Sequence, residues 1–323
     1  MLAWLLRRIA ASLAIVFVTV SLTFFAIHLA PGRPFMPPDE RPMNPIVVHR
    51  LEQIYGLDRP LAVQYVRYFG ALARGEMGES FSQRRPVAHA IADAVPNTLL
   101  LTATALVIDF TLGILIGLFQ AARARRRSDV ALANVTLFFY SLPTFWLALV
   151  LQLVCALWLG WFPTGGPTDP VMHASLPLLG RLGDRLYHLV LPALTLGLVG
   201  AGGTARFQRA ALLEALGHDY IRTARAKGLA ESAVLVRHAW RDALLPVISL
   251  AGVALPFLLT GAVLIETVFS WPGLGKLAAD AISARDYPLV LGTTLLATCA
   301  VVLGSLVADL LTVAADPRVR VTA

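Results

Sequence analysis

Six stretches of the chain, at about 9–30, 97–119, 131–160, 187–205, 246–268 and 288–314, are almost continuously apolar, and charged residues gather in the segments between them. Crossing the hydrocarbon of a bilayer takes about 20 mostly apolar residues in helical form. Each stretch therefore predicts a spanning helix, and the chain is expected to be an all-α polytopic membrane protein with six transmembrane helices. Three regions follow from the pattern: an N-terminal helix over 1–30, a polar segment over 31–95, and a five-helix core over 96–323. Within the core, a basic run of about 206–245 is long and regular enough to carry structure of its own.

Within the 31–95 segment, Pro31, Pro34, Pro37, Pro38, Pro42 and Pro45 keep the chain extended, because proline lacks a backbone donor and disfavours helix at the residue before it. Two short helices are expected next, Ile46 to Tyr55 closed by Gly56, and Pro60 to Gly75. In the second, Leu61, Tyr65, Tyr68 and Leu72 recur at i, i+4, i+7 and i+11, a single face that should pack on the membrane domain. The second span is expected to open at Pro96-Asn97-Thr98, where Asn or Thr caps the free amides. Pro143 predicts a kink in the third. Gly197, Gly200, Gly202 and Gly203 in the fourth predict close approach of neighbouring helices.

Composition agrees with a membrane protein. The chain is 57% hydrophobic with a mean hydropathy of +0.69 and 15% charged residues, against about a quarter charged in soluble domains. Cys155 and Cys299 both fall in spans, so no disulfide framework is expected. Arg7 and Arg8 precede the first apolar run as in a secretory signal, but that run is longer than a signal's core, and it is read as a retained helix. Orientation follows from the basic residues. With the N-terminus inside, Arg7, Arg8, Arg123, Arg125, Arg126, Arg127, the basic run, Arg318 and Arg320 are all cytoplasmic, as short inner loops favour. Both termini are then expected in the cytoplasm. The eight arginines between Pro31 and Val95 lie in a segment too long for that rule. Positive loops also account for the net charge of +7 and the pI near 9.9. No nucleic-acid recognition pattern accompanies the charge, so no nucleic-acid partner is expected.

Catalytic signatures are absent from the sequence: no HExxH, no GxSxG and no Cys/His metal spacing. The Gly-Lys pair of WPGLGKL fails as a phosphate loop, since Gly273 is at the wrong spacing and Leu277 stands where Ser or Thr would bind magnesium. No catalytic, cofactor or metal site is expected in this chain, and any ATP and magnesium would be bound by a partner. Asp109 and Asp309 lie within spans, where a carboxylate is expensive and marks either a functional site or a hydrogen bond to a neighbouring helix. With Pro143 they form the set of possible pathway or packing residues. The basic run reads YIRTARAKGLAESAVLVRHAWRDALLPVI from Tyr220. Ile221, Ala224, Leu229, Val234 and Leu235 alternate with cationic positions at helical spacing, and Gly228 interrupts them. Two short helices joined at Gly228-Leu229 and ending at Leu245-Pro246 are expected. A solvated or membrane-surface amphipathic helix is the other reading of the same pattern.

Arg222-Thr223-Ala224-Arg225-Ala226-Lys227-Gly228-Leu229, then His238-Ala239 and Leu244-Leu245-Pro246, resembles the cytoplasmic coupling loop of permeases of the dipeptide/oligopeptide ABC import family. Arg222 and Thr223 replace the Glu-Ala of the general importer form, and the Gly-to-Pro spacing is longer, both as in the peptide-importer subfamily. GLDRPLAVQYVRYFGALARGEMGESF from Gly56, PVAHAIADAVPNTLLL from Pro86, ETVFSWPGLGKLAADAISARDYPLVLG from Glu266 and DLLTVAADPRVR from Asp309 are similar to the first, B-type, of the two permeases. The resemblance spans nearly the whole chain. It implies a type I ABC importer permease of a bacterial or archaeal cytoplasmic membrane, embedded in lipid. Its expected partners are a second related permease, two ATPase subunits and an extracytoplasmic solute-binding protein that delivers a peptide. It also implies that Arg222, Thr223, Ala224, Arg225, Lys227, Gly228, Leu229, Leu245 and Pro246 meet an ATPase subunit, and that Asp309 is structural. A proton-coupled carrier using Asp109 and a non-transport membrane scaffold are the alternatives.

Overall fold

Small residues along two long helices build the centre of the fold. The computed structural model describes residues 2–30, 45–244, 246–248, 250 and 263–315. The helices are α1 (Leu2–Leu29), α2 (Pro45–Tyr55), α3 (Leu61–Leu72), α4 (Val87–Ala122), α5 (Arg127–Ser141), α6 (Thr144–Leu151, continuing as a π-helical stretch Gln152–Trp158) and α7 (Leu178–Leu216). After them come α8 (Asp219–Ala226), α9 (Glu231–Ala233, continuing as a π-helical stretch Val234–Ala239), α10 (Val263–Val268), α11 (Leu274–Ser283) and α12 (Tyr287–Ala315). Among the described residues the only β pairing is an isolated bridge between Glu79 and Pro86.

Ala105, Asp109, Gly113 and Gly117 of α4, four residues apart, meet Gly197, Gly200, Thr204 and Gln208 of α7 in the same order, so the two helices run parallel. Rows of residues at i and i+4 form ridges that interlock with a partner's grooves, and small side chains let the backbones approach. The approach is close enough that a Cβ at Gly117 would lie 2.8 Å from the Ala205 carbonyl oxygen. α5 packs antiparallel on the other side of α7, with Asp129 at its start against Arg209 and Thr136 farther on against Gly202, while Gly203 meets the Tyr140 ring. The glycine cluster thus does what its composition predicts.

Among the described residues four helices, α1 from Arg7, α4, α7 and the Tyr287–Val307 part of α12, are long and apolar enough to cross a membrane, and α5 with the α6 helix becomes a fifth if the bent pair is one span. The expected kink at Pro143 is a full break of 100°. Leu142 (φ −73, ψ 137) and Pro143 (φ −59, ψ 125) are both extended, since proline pushes its predecessor out of the helical region. Residues 251–262, the middle of the expected fifth span, lie outside the described residues.

α4 starts at Val87 and carries Pro96 within it, so Asn97 and Thr98 do not cap it. α7 likewise extends well beyond the expected 187–205, and the first part of the basic run, to Leu216, is its continuation. α3 lies across α1 and α12: Leu61, Tyr65, Tyr68 and Phe69 pack on Val20, Phe24 and Leu291, and Ser21 Oγ is 2.8 Å from Tyr65 Oη. Phe69 stands in that cluster where the expected face had Leu72.

Candidate functional site

The basic run forms a helical elbow at one end of the bundle. Gly228, at φ +76, occupies the left-handed region that a side chain disfavours. The Gly228 N–H donates to Arg225 O at 2.9 Å and the Leu229 N–H to Ala224 O at 3.4 Å, the paired bonds of a Schellman turn that stops α8. α9 then starts after Ala230, so the two expected short helices and their joint are where the sequence puts them. The second does not end at Leu245-Pro246: residues 240–244 and 246–248 are helical, and Leu245 lies outside the described residues.

One face of the elbow is anchored. Ile221 and Ala224 from α8 and Val234, Ala239 and Ala243 from the α9 arm form a core with Ala121, at the end of α4, and Leu212 and Ala215, at the end of α7. The other face is open. Arg222, Thr223, Arg225, Lys227, Gly228 and Leu229 are all exposed, as is Pro246. Leu229 belongs to this open face, 42% exposed, and not to the buried stripe its spacing assigned it to. Thr223 Oγ1 donates to Asp219 O at 3.1 Å, and Arg222 sits 3.6 Å from the Asp219 carboxylate.

Two links across the turn hold the arms at a set angle. Arg225 Nε donates to Glu231 Oε2 at 3.0 Å and its Nη2 to Oε1. That forked pair holds the Glu231 carboxyl below its ordinary range and raises the Arg225 guanidinium. Tyr220 is pushed up to about 12 by desolvation and by its hydrogen bond to Asp242. The family resemblance marked Arg225 as a contact residue, and the sequence reading passed over Glu231, whose position six residues on matters only once the chain turns.

The arrangement is continuous with the α4–α7 seam. Asp129, 2% exposed at the start of α5, accepts Arg209 Nε at 2.9 Å, Arg209 Nη2 at 2.8 Å and the Arg125 N–H at 3.0 Å. This clamp fastens α5 to α7 near the elbow. Farther along the same seam, Asp109 Oδ1 accepts Thr204 Oγ1 at 2.7 Å, a bond between neighbouring helices. Pro143 is exposed at the α5–α6 break. Asp309 lies on α12, and its side chain is outside the described residues.

At the opposite end, two buried carboxylates escaped the sequence pattern. Glu266, fully buried, accepts Thr98 Oγ1 at 2.8 Å and the Lys276 N–H at 2.9 Å, while Thr98 Oγ1 accepts the Leu274 N–H at 2.7 Å. α10, α11 and α4 are thereby joined, and Trp271 Nε1 adds a bond to Asn97 O at 2.9 Å. Asp286, also fully buried, accepts Ser80 Oγ, the Ser82 N–H and Ser82 Oγ at 2.6, 2.9 and 2.8 Å, and caps α12 through the Leu289 N–H at 3.2 Å. Asp286 sits just before a helix among loop donors and Glu266 draws its donors from two other helices, so periodicity gives no signal for either. Among the described residues no group of His, Cys, Asp and Glu is arranged to hold a metal ion.

Comparison with known proteins covers the chain end to end. A family model described as the inner membrane component of binding-protein-dependent transport systems matches residues 113–321, and the N-terminal model of such membrane components matches residues 1–102. The oligopeptide transport system permease protein AppB of Bacillus subtilis (strain 168) is 36% identical over 321 residues, 99% of this chain and 100% of that protein. The di/tripeptide transport system permease protein DppB of Pseudomonas aeruginosa is 40% identical over 337 residues, 99% of each chain. The glutathione transport system permease protein GsiC of Salmonella paratyphi A is 35% identical over 320 residues, again 99% of each.

Proposed function

The chain belongs to the family of inner membrane components of binding-protein-dependent transport systems, and from that premise we propose that it is a peptide-carrying permease subunit of an ATP-driven importer. Full-length similarity to oligopeptide and di/tripeptide permeases supports peptide as the cargo. A second permease, two ATPase subunits that bind ATP and magnesium, and a solute-binding protein complete the assembly. The end carrying the elbow faces the cytoplasm with both termini, in keeping with the concentration of short-loop arginines there.

The observation that carries the coupling role is the elbow itself: a glycine turn, exposed on one face and sharing a core with the ends of α4 and α7 on the other. An ATPase gripping Arg222, Lys227, Gly228 and Leu229 would pull on the two central helices at once. Closure of the ATPases then reaches the pathway as a shift of packed helices rather than a local bend. The Asp109–Thr204 bond favours a packing role for Asp109 over proton carriage.

Reconstitution of the importer with Gly228→Asn and Gly228→Val variants tests this. Asn tolerates the left-handed backbone and a β-branched residue does not. The Asn variant is expected to retain peptide-stimulated ATP hydrolysis, and the Val variant to lose it while still inserting in the membrane. Equal stimulation in both would remove the elbow from the coupling path. Asp109→Asn should keep most uptake, and complete loss would instead favour a proton-driven carrier.

A further inference from the structure

α4 and α5 form a hairpin at the elbow end of the bundle, and along its flank the two helices leave a groove of about 560 Å³. Leu115 and Phe119 from the last turns of α4 line it, with Ala131, Leu132 and Val135 from the first turns of α5. Leu115, Phe119 and Val135 are 59%, 39% and 49% exposed, so the groove opens on the surface of the bundle. From Thr111 to Ala122 and from Val130 to Ser141 neither helix carries a charged side chain. In a bilayer such a groove is filled by hydrocarbon, because empty space beside apolar side chains forfeits their contacts.

The turn of the hairpin decides which lipid supplies that hydrocarbon. Arg123, Arg125, Arg126 and Arg127 are all exposed there, and among the described residues no carboxylate pairs with their side chains. Asp129, the acid next to them in sequence, is committed to Arg209. Four positive charges are left uncompensated. The Arg123 guanidinium lies 4.3 Å from the centre of the Phe119 ring, which seats a cation at the mouth of the groove. Ser128 is the single polar residue of the lining, at the same end, and its hydroxyl makes no hydrogen bond among the described residues. The general preference for positive short loops accounts for arginines in the turn, but not for a cation seated against an apolar groove. A soluble anion would match the cations and leave the groove unfilled. A zwitterionic lipid would fill the groove and bring a cation of its own to the arginines. An anionic phospholipid satisfies both parts.

We propose that this groove is a binding site for an anionic phospholipid, with an acyl chain along Leu115, Phe119, Leu132 and Val135 and the phosphate held by Arg123 and Ser128. Arg125, Arg126 and Arg127 add attraction without requiring a fixed geometry. The proposal needs only that the chain sits in a bilayer, and it is independent of the cargo.

Photocrosslinking tests it on the full chain, held in phosphatidylcholine nanodiscs with the subunits that co-purify with it. Phosphatidylglycerol or phosphatidylcholine with the same diazirine-bearing acyl chain is added in trace amount, and the crosslinked residues are mapped by peptide mass spectrometry. In the groove, phosphatidylglycerol is expected to exceed phosphatidylcholine by about tenfold or more, from several basic side chains at about fivefold each. At Leu22, exposed on α1, the two lipids should react equally. Arg123→Gln should lower the groove preference about fivefold. Ala131→Trp, which fills the groove and leaves every arginine in place, should abolish phosphatidylglycerol crosslinks at Leu115 and Phe119. Equal crosslinking of the two lipids in the groove, or a preference that survives Arg123→Gln undiminished, overturns the site. Crosslinking by neither lipid while Leu22 reacts also overturns it, in favour of a protein subunit covering the groove. A preference erased by inorganic phosphate, but not by sodium chloride of equal ionic strength, overturns it in favour of a soluble anion.

Discussion

Replacing Gly117 by alanine should weaken the α4–α7 seam even though alanine is the better helix former. The added Cβ would lie 2.7 Å from Gln208 Cβ and 2.8 Å from the Ala205 carbonyl oxygen. Neither neighbour can swing away, because one is the first atom of a side chain and the other is helix backbone. The helices must separate by several tenths of an ångström, which loosens every contact along the ridge. Overpacking of this kind costs about 1–3 kcal/mol, and the gain from removing a mid-helix glycine is about 0.5–1 kcal/mol. A net loss of about 0–2.5 kcal/mol is expected from those two ranges. Gly183, in the same helix as Gln208, has nothing within 4 Å of its virtual Cβ, so Gly183→Ala should change stability in the opposite direction, by about +0.5–1 kcal/mol. Titration of the purified protein with sodium dodecyl sulfate, followed by tryptophan fluorescence, reads both midpoints. If Gly117→Ala resists the detergent as well as Gly183→Ala does, the seam is not the close-packed contact described above.

Asp129→Ala leaves Arg209 without its partner. Because Arg209 is one-third exposed (33%), the cost should fall below that of a fully buried pair, to about 2 kcal/mol on the same detergent titration; no measurable change would refute the clamp. Asp286→Ala removes the acceptor for Ser80 and Ser82 together with the cap of α12, so trypsin should cut the Arg84–Arg85 bond faster than in the parent, and equal cleavage rates would count against the tie. The Arg225 guanidinium holds the Glu231 carboxyl below the ordinary carboxylate range, so the link contributes fully above that range and is lost as pH falls through the lowered folded value. Amide exchange of 225–233 should therefore differ between parent and Glu231→Gln at neutral pH and converge once acid has protonated the lowered carboxyl. A difference that persists in acid would mean the link is not ionic.

Membrane insertion and the helical class were legible in the chain because both depend on local quantities, the length and polarity of segments. The Gly228 turn was legible for the same reason: a left-handed turn needs only a few adjacent residues, and a glycine is its signature. The glycines of α7 announced close packing, but not the partner. Only the folded chain set them against Asp109, Thr136 and Tyr140, since which ridge meets which groove depends on the register of two helices far apart in sequence.

Helix ends were the weakest part of the sequence reading, and Pro96 and Pro143 show why. The same residue type is absorbed inside α4 and breaks the chain by 100° between α5 and α6. The cost of a missing backbone bond depends on what neighbouring elements supply, which local pattern cannot report. Glu231, Glu266 and Asp286 follow the same logic. Each carboxylate acquires its role from donors brought to it by the fold: Arg225 across a turn, Thr98 from a distant helix, and Ser80 and Ser82 from a loop more than two hundred residues away. Sequence by itself determined what kind of molecule this is and where its elbow lies. Tertiary structure alone decided which charges link the elbow, the seam and the opposite end, because a paired charge is stabilised by the geometry of its partners and not by its position in the chain.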